Sequence, residues 1–170
     1  MNRALFLDRD GILNFLVPLD EGLCAPRQWS HVKFCPGIEQ ISKMKRYGFV
    51  TILASNQPDV ERGLVEKEFV EDLHEHYRKK LSLSGLYTCF SSAATDPRKK
   101  PNPGMLLEAA EAFSLDLSKS FFVGDTRKDM EAARNAGCAS VLWNRPYNAH
   151  LESDFRVSSW DELERLLLNS

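Results

Sequence analysis

Two carboxylates one residue apart, Asp8 and Asp10, close a short apolar run, Ala4-Leu5-Phe6-Leu7, and Gly11 follows them at once. Brought together, two acids repel each other unless a cation or a shared proton neutralises them, so the pair points to a metal site. A third acid has the same setting: Ser120-Phe121-Phe122-Val123 runs into Gly124-Asp125-Thr126, and Asp129 follows four residues after Asp125. Between these two stretches, Ser55 and Asn56 end a further apolar run, and Lys100 sits in a proline-rich basic loop behind Arg98 and Lys99. Three or four carboxylates together suit Mg²⁺, which takes one or two of them along with waters and a substrate phosphate. A serine, backbone N–H groups and a lysine complement a phosphate oxyanion. The sum is a metal-assisted phosphoryl-transfer site with an aspartate available as nucleophile. Plainer readings stand beside it. Asp8 and Asp10 could line a solvated turn, Ser55 could cap a helix, Asp129 suits a first helical turn, and Arg98-Lys99 could be a solvated charge run.

The elements that must position these residues follow from hydrophobic period. Nearly continuous apolar runs at 4–7, 49–54, 86–90, 120–123, 139–143 and 155–157 predict short strands, buried on both faces in the longer cases. Helices are predicted after Pro36-Gly37, where Ile38, Ile41, Met44 and Tyr47 share a face, and over 65–82, 105–113, the segment from Asp129 to Gly137, and the stretch after Ser159. Strands alternating with helices predict an α/β domain, a doubly wound and mainly parallel sheet with helices on both faces, spanning residues 1–170 as one unit. In such a sheet, polar residues at the strand ends converge on one crevice. Residues 13–36 read as a long connection, in which Arg27, Trp29 and His31 either cover a ligand or leave Trp29 tucked against the core. No insertion is long enough for a separate cap domain, so loops 14–35, 57–64 and 92–104 are expected to roof the site.

Composition sets the outer bounds. The 22 basic and 24 acidic residues give a formal net charge of -2, which argues against a nucleic-acid or membrane-surface partner. Residues 1–10 lack the shape of a signal peptide, and no run reaches the length of a membrane span. Cys24, Cys35, Cys89 and Cys138 are scattered without a C-x-x-C pair and read as reduced thiols of a cytoplasmic protein. His74 and His76, two apart on a predicted helix, face different ways and do not suit a shared metal.

In order, Asp8-Arg9-Asp10-Gly11, Ser55-Asn56-Gln57, Lys100-Pro101 and Gly124-Asp125-x-x-x-Asp129 resemble the four motifs of the haloacid dehalogenase-superfamily phosphatases. The resemblance covers about residues 3–146. Within the superfamily the chain is similar to the branch of the D,D-heptose 1,7-bisphosphate and histidinol-phosphate phosphatases. The heptose enzymes are the nearer likeness, through Asn56-Gln57 with Arg62-Gly63 and through Lys99-Lys100-Pro101-Asn102-Pro103-Gly104-Met105. The resemblance implies that Asp8 attacks phosphorus to give an aspartyl-phosphate, while Asp10 protonates the leaving group and later deprotonates water. It implies Mg²⁺ held by Asp8, the carbonyl of Asp10 and Asp125, with Asp129 in support. Ser55 and Lys100 would hold the phosphoryl group, and Asn56, Arg98 and Lys99 are further candidates for substrate contact, with Arg27, Trp29 and Arg62 left open.

Three departures qualify the likeness. Zinc-bearing members of the branch carry a Cys-x-His and Cys-x-Cys loop, whereas Cys89 to Arg98 holds one cysteine and no histidine, so no structural zinc is expected. Pro58-Asp59 replaces a small glycine-containing turn, and Ile12 stands where Thr or Val is common. The expected substrate is a small phosphorylated molecule, first a sugar phosphate such as D-glycero-D-manno-heptose 1,7-bisphosphate. Alternatives are histidinol phosphate, a nucleic-acid 3′-phosphate, and a non-catalytic phosphate-binding module of the same fold. A monomer or weak homo-oligomer is expected.

Overall fold

The computed structural model describes residues 1–170. Strand β1, Arg3–Leu7, is buried from Ala4 onward, and its side chains alternate between two separate cores. Each large apolar side chain so buried contributes about 1.5–3 kcal/mol. After β1 the chain makes a small antiparallel hairpin, β2 (Val17–Leu19) and β3 (Gly22–Cys24), and a single 3-10 turn at Trp29–His31. The connection expected at 13–36 therefore has elements of its own, built from strands too short to register as periodic.

Residues Ile38–Tyr47 form a ten-residue 3-10 helix. Its buried residues, Ile38, Ile41 and Met44, are three apart, and at three residues per turn such positions stack above one another. The stripe that predicts a helix here fits this tighter form. Gly48, with φ of 79°, closes it in the left-handed region. Strand β4 (Phe49–Asn56) continues two residues beyond the apolar run, so Ser55 and Asn56 belong to the strand itself.

There follow helix α1 (Lys67–Leu81), β5 (Gly85–Cys89), α2 (Gly104–Phe113), β6 (Phe121–Gly124), α3 (Arg127–Ala136), β7 (Ala139–Trp143), β8 (Phe155–Val157) and α4 (Trp160–Leu168). The sheet order is β5-β4-β1-β6-β7-β8, and every neighbouring pair is parallel. One face carries α1, the long 3-10 helix and α4, through Leu73, Tyr77, Ile41, Met44 and Leu163. The other carries α2 and α3, through Met105, Leu106, Ala132 and Ala133. Alternation along β1 serves both, with Leu5 and Leu7 on the first face and Ala4 and Phe6 on the second. The fold is thus the doubly wound α/β sheet that the sequence predicts. No helix is long and apolar enough to cross a membrane, and all four cysteines are free.

Register decides where the polar residues meet. Leu7 pairs with Leu53 on β4 and with Val123 on β6. The residues just beyond these positions, Asp8, Ser55-Asn56 and Asp125, therefore emerge along one edge of the sheet, where ligands of parallel sheets bind.

Candidate active site

Carboxylate oxygens of Asp8, Asp125 and Asp129 lie within 4.8 Å of one another, all three residues buried. Lys100, only 2% exposed, reaches into the group from its loop. Its Nζ donates to Asp8 Oδ1 at 2.8 Å, Asp129 Oδ1 at 2.7 Å and the Ala54 carbonyl at 2.9 Å, using all three ammonium donors. Burial works against the lysine charge, but Asp129 and Asp8 outweigh it and raise its pKa above the ordinary lysine value. One lysine does not balance the carboxylates. Burial and then the Asp129 charge push Asp8 well above the usual carboxylate range, against the pull of Lys100. The same two causes push Asp125 up to about 7.

Asp125 shows what is wanting. Its Oδ2 accepts a hydrogen bond from Tyr147 Oη, whereas its Oδ1 is buried with no hydrogen-bond partner. An orphaned buried carboxylate oxygen among other carboxylates fits a hard divalent cation, whose charge reverses the electrostatic penalty on Asp8 and Asp125.

Asp129 combines the two readings that its position allows. Its Oδ2 accepts from the Thr126 N–H at 3.0 Å, Thr126 Oγ1 at 2.7 Å and the Asp125 N–H at 3.2 Å, closing a capping box on α3. Its Oδ1 is left for Lys100.

Asp10 is engaged quite differently. Its Oδ1 accepts from Arg9 Nε at 3.0 Å and Asn14 Nδ2 at 2.9 Å, and its Oδ2 from Gln57 Nε2 at 2.8 Å. Burial alone would push the Asp10 carboxyl up, but the Arg9 charge and these hydrogen bonds outweigh it and hold it below its usual range. Arg9 is fully buried and also donates to Gln57 Oε1 at 2.9 Å and meets His74 Nε2 at 3.2 Å. His74 Nδ1 meets Thr88 Oγ1 at 2.9 Å on β5. Because Arg9 can only donate, His74 must accept at Nε2 and carry its proton at Nδ1. Tyr77 completes the layer by donating to Asn14 Oδ1 at 2.9 Å. Arg9, Gln57 and His74 are not among the site residues that the sequence singles out. The signal was present only for the first two, which stand inside the motifs.

The crevice above these groups has a volume of about 260 Å³. Asp8, Asp10, Asn56, Lys99, Lys100, Asp125 and Asp129 line it, joined by Leu16, Pro58, Arg62, Thr126 and Lys128. Two predicted contacts do not reach it. Ser55 is fully buried below, where its Oγ accepts from Gln57 Nε2 at 2.9 Å. Arg98 turns away to Glu108 at 3.0 Å, because its loop leads directly into α2. Asn56 lines the crevice, and its side-chain amide also pairs with both backbone groups of Lys100, at 2.9 and 3.0 Å, fixing the lysine loop. Lys99 Nζ donates to the Ser92 carbonyl. Arg27 is held by Glu21 and Asp59 in a neighbouring cavity that shares Arg62 with the crevice. Trp29 packs edge-on against Phe69 and His76 but stays 48% exposed, so it is neither tucked into the core nor part of the crevice lining. Lys128, missed by sequence reading, lines the crevice without an ion-pair partner.

A family model described as HAD-hydrolase-like matches residues 97–145, the stretch holding Lys100, Asp125 and Asp129. The D-glycero-beta-D-manno-heptose-1,7-bisphosphate 7-phosphatase of Photorhabdus laumondii is 32% identical over 166 residues, covering 88% of this chain and 85% of that protein. The enzyme of the same name from Helicobacter pylori strain J99 is 34% identical over 143 residues, covering 79% of each. Among solved structures, the D,D-heptose 1,7-bisphosphate phosphatase of B. bronchiseptica, complexed with magnesium and phosphate, superposes with a TM-score of 0.83 over 99% of both chains. At 24% identity that superposition speaks for the fold.

Proposed function

The chain belongs to the haloacid dehalogenase-like hydrolases, among the D-glycero-D-manno-heptose-1,7-bisphosphate 7-phosphatases, and from that premise we propose that it removes the 7-phosphate of a heptose bisphosphate with Mg²⁺. The observation that carries the chemistry is the Asp125 Oδ1, buried and unpartnered, beside an Asp8 carboxylate already bonded to Lys100. Asp8, Asp125 and the Asp10 carbonyl would hold the metal, with Asp129 in support. When bound, Mg²⁺ offsets the negative charge of the carboxylates and of the phosphate together.

Asp8 attacks phosphorus, and its new bond forms as the bond from phosphorus to the sugar oxygen breaks. Asp10 gives that oxygen its proton. Arg9, Asn14 and Gln57 hold Asp10 as an acceptor in the absence of substrate. An arriving phosphate dianion favours protonation of Asp10 by like-charge repulsion. In the second half Asp10 takes a proton from water, the water oxygen attacks phosphorus, and the Asp8–phosphorus bond breaks to release inorganic phosphate. Lys100 stays charged throughout and neutralises Asp8 and the transferring group.

Relatives of this name favour the heptose bisphosphate over histidinol phosphate, a nucleic-acid 3′-phosphate or a non-catalytic module. Lys99, Arg62 and Lys128 around the crevice support a substrate with a second anion. The same proposal includes a single-domain, zinc-free, cytoplasmic enzyme, monomeric or weakly associating. Its zinc-free part is supported by the lone thiol of Cys89 in the stretch 89–98, which holds no histidine. Turnover against heptose 1,7-bisphosphate, sugar monophosphates, histidinol phosphate and a 3′-phosphorylated oligonucleotide tests it. Preference for the bisphosphate is expected, and preference for histidinol phosphate would overturn the substrate.

A further inference from the structure

The turn after β7 reaches both halves of the candidate metal site. Arg145 donates through Nε and a terminal nitrogen to the Gly11 carbonyl, at 3.1 and 2.7 Å, next to Asp10 on the loop after β1. Asn148, which is buried, donates through Nδ2 to the carbonyls of Asp125 at 2.8 Å and Trp143 at 2.9 Å. Its Oδ1 accepts the Arg145 N–H at 3.0 Å and so closes the turn on itself. Between these two anchors stands Tyr147, whose Oη donates to Asp125 Oδ2.

That oxygen is enclosed on its other side as well. A Cβ on Gly11 would come within 2.0 Å of Asp125 Oδ2. Gly11 and Tyr147 thus flank Oδ2, while the sister oxygen Oδ1 is buried and has no hydrogen-bond partner. A carboxylate can turn about its last bond at little cost, so a donor on one oxygen fixes where the other points.

We propose that Tyr147 is a positioning residue for Asp125: by engaging Oδ2, and with its backbone pinned by Arg145 and Asn148, it presents Oδ1 to a divalent cation. Tyr147 is 42% exposed, so its hydroxyl is not buried for want of another place to go. The inference rests on the reading that Asp8 and Asp125 hold Mg²⁺.

Tyr147→Phe keeps the ring and removes the donor. Binding of Mn²⁺ alone to the substrate-free protein, followed by electron paramagnetic resonance and competed with Mg²⁺, gives the affinity apart from turnover. Loss of an outer hydrogen bond to a metal ligand costs about 10–100-fold in affinity, and a weakening in that range is expected. The Mg²⁺ concentration needed for half-maximal turnover should rise in parallel. Affinity within twofold of the wild type would overturn the proposal, whatever the variant's thermal stability. So would a variant whose only change is a raised substrate KM at saturating Mg²⁺, since that marks a substrate contact. Failure of the wild-type protein to bind either ion would instead overturn the underlying metal reading.

Discussion

Lys100 Nζ lies 2.8 Å from Asp8 Oδ1, and both side chains are buried. The lysine is the compensating charge for Asp8 and Asp129 alike, so its removal leaves two buried carboxylates without a cation. Breaking a buried pair in this way costs about 3–5 kcal/mol. Lys100→Met is expected to lose stability of that order in metal-free urea unfolding, and Mg²⁺ should restore part of it. Adding Asp8→Asn to the same chain should recover stability by removing one of the stranded charges. Asp8→Asn alone should keep the fold and abolish turnover of phosphomonoesters.

Gly11 has φ of 86°, and the Asp125 carboxylate occupies the space where its Cβ would be. Gly11→Ala therefore pays about 1–2 kcal/mol for a left-handed alanine and must also displace Asp125. The expected result is a modest fall in stability with a disproportionate loss of Mg²⁺ affinity. Denaturant unfolding beside a Mn²⁺ titration separates the two effects.

His74 supplies a pH dependence. Burial, and then the Arg9 charge, push its pKa down from 6.5 to about 3, against the pull of Asp10. Between those values the unfolded chain binds a proton that the folded protein does not, so stability falls as pH falls from about 6.5 toward 3. Above the window His74 is neutral in both states and contributes no penalty. At 1.36 kcal/mol per unit the full effect is on the order of several kcal/mol. His74→Gln, which can still accept from Arg9 and donate to Thr88, should flatten acid unfolding across that range in circular dichroism.

Much of this architecture is legible in the residues themselves. Strands β1, β4 and β6 announce themselves as short apolar runs because they are buried on both faces, and each ends in the polar residues that must converge. The long 3-10 helix was legible as a helix but not by type, since a stripe at Ile38, Ile41 and Met44 fits a tight helix as well as an α-helix. Other parts left no local trace. His74 looks like any residue on the inner face of α1, and its role comes from Arg9, sixty-five positions away. Arg98 looks like part of an anion-binding loop, but Glu108 on α2 takes it. Tyr147 and Asn148 lie beyond the last motif, after α3 and β7, in a turn without period. Their contacts with Asp125 depend on parallel pairing between β6 and β7, which brings the end of one strand to the end of the other.

The order of the sheet also bears on how the protein is made. Strand β1 precedes β4 and β6 in the chain but lies between them in the sheet, paired with β4 on one side and β6 on the other. Its carboxylates cannot meet Asp125 until β6 has been synthesised, and the Arg145–Asn148 turn emerges later still. A growing chain therefore carries Asp8 and Asp10 for more than a hundred residues before Asp125 exists to meet them. The carboxylate cluster is completed only when β6 and the turn after β7 have joined β1 at the sheet edge.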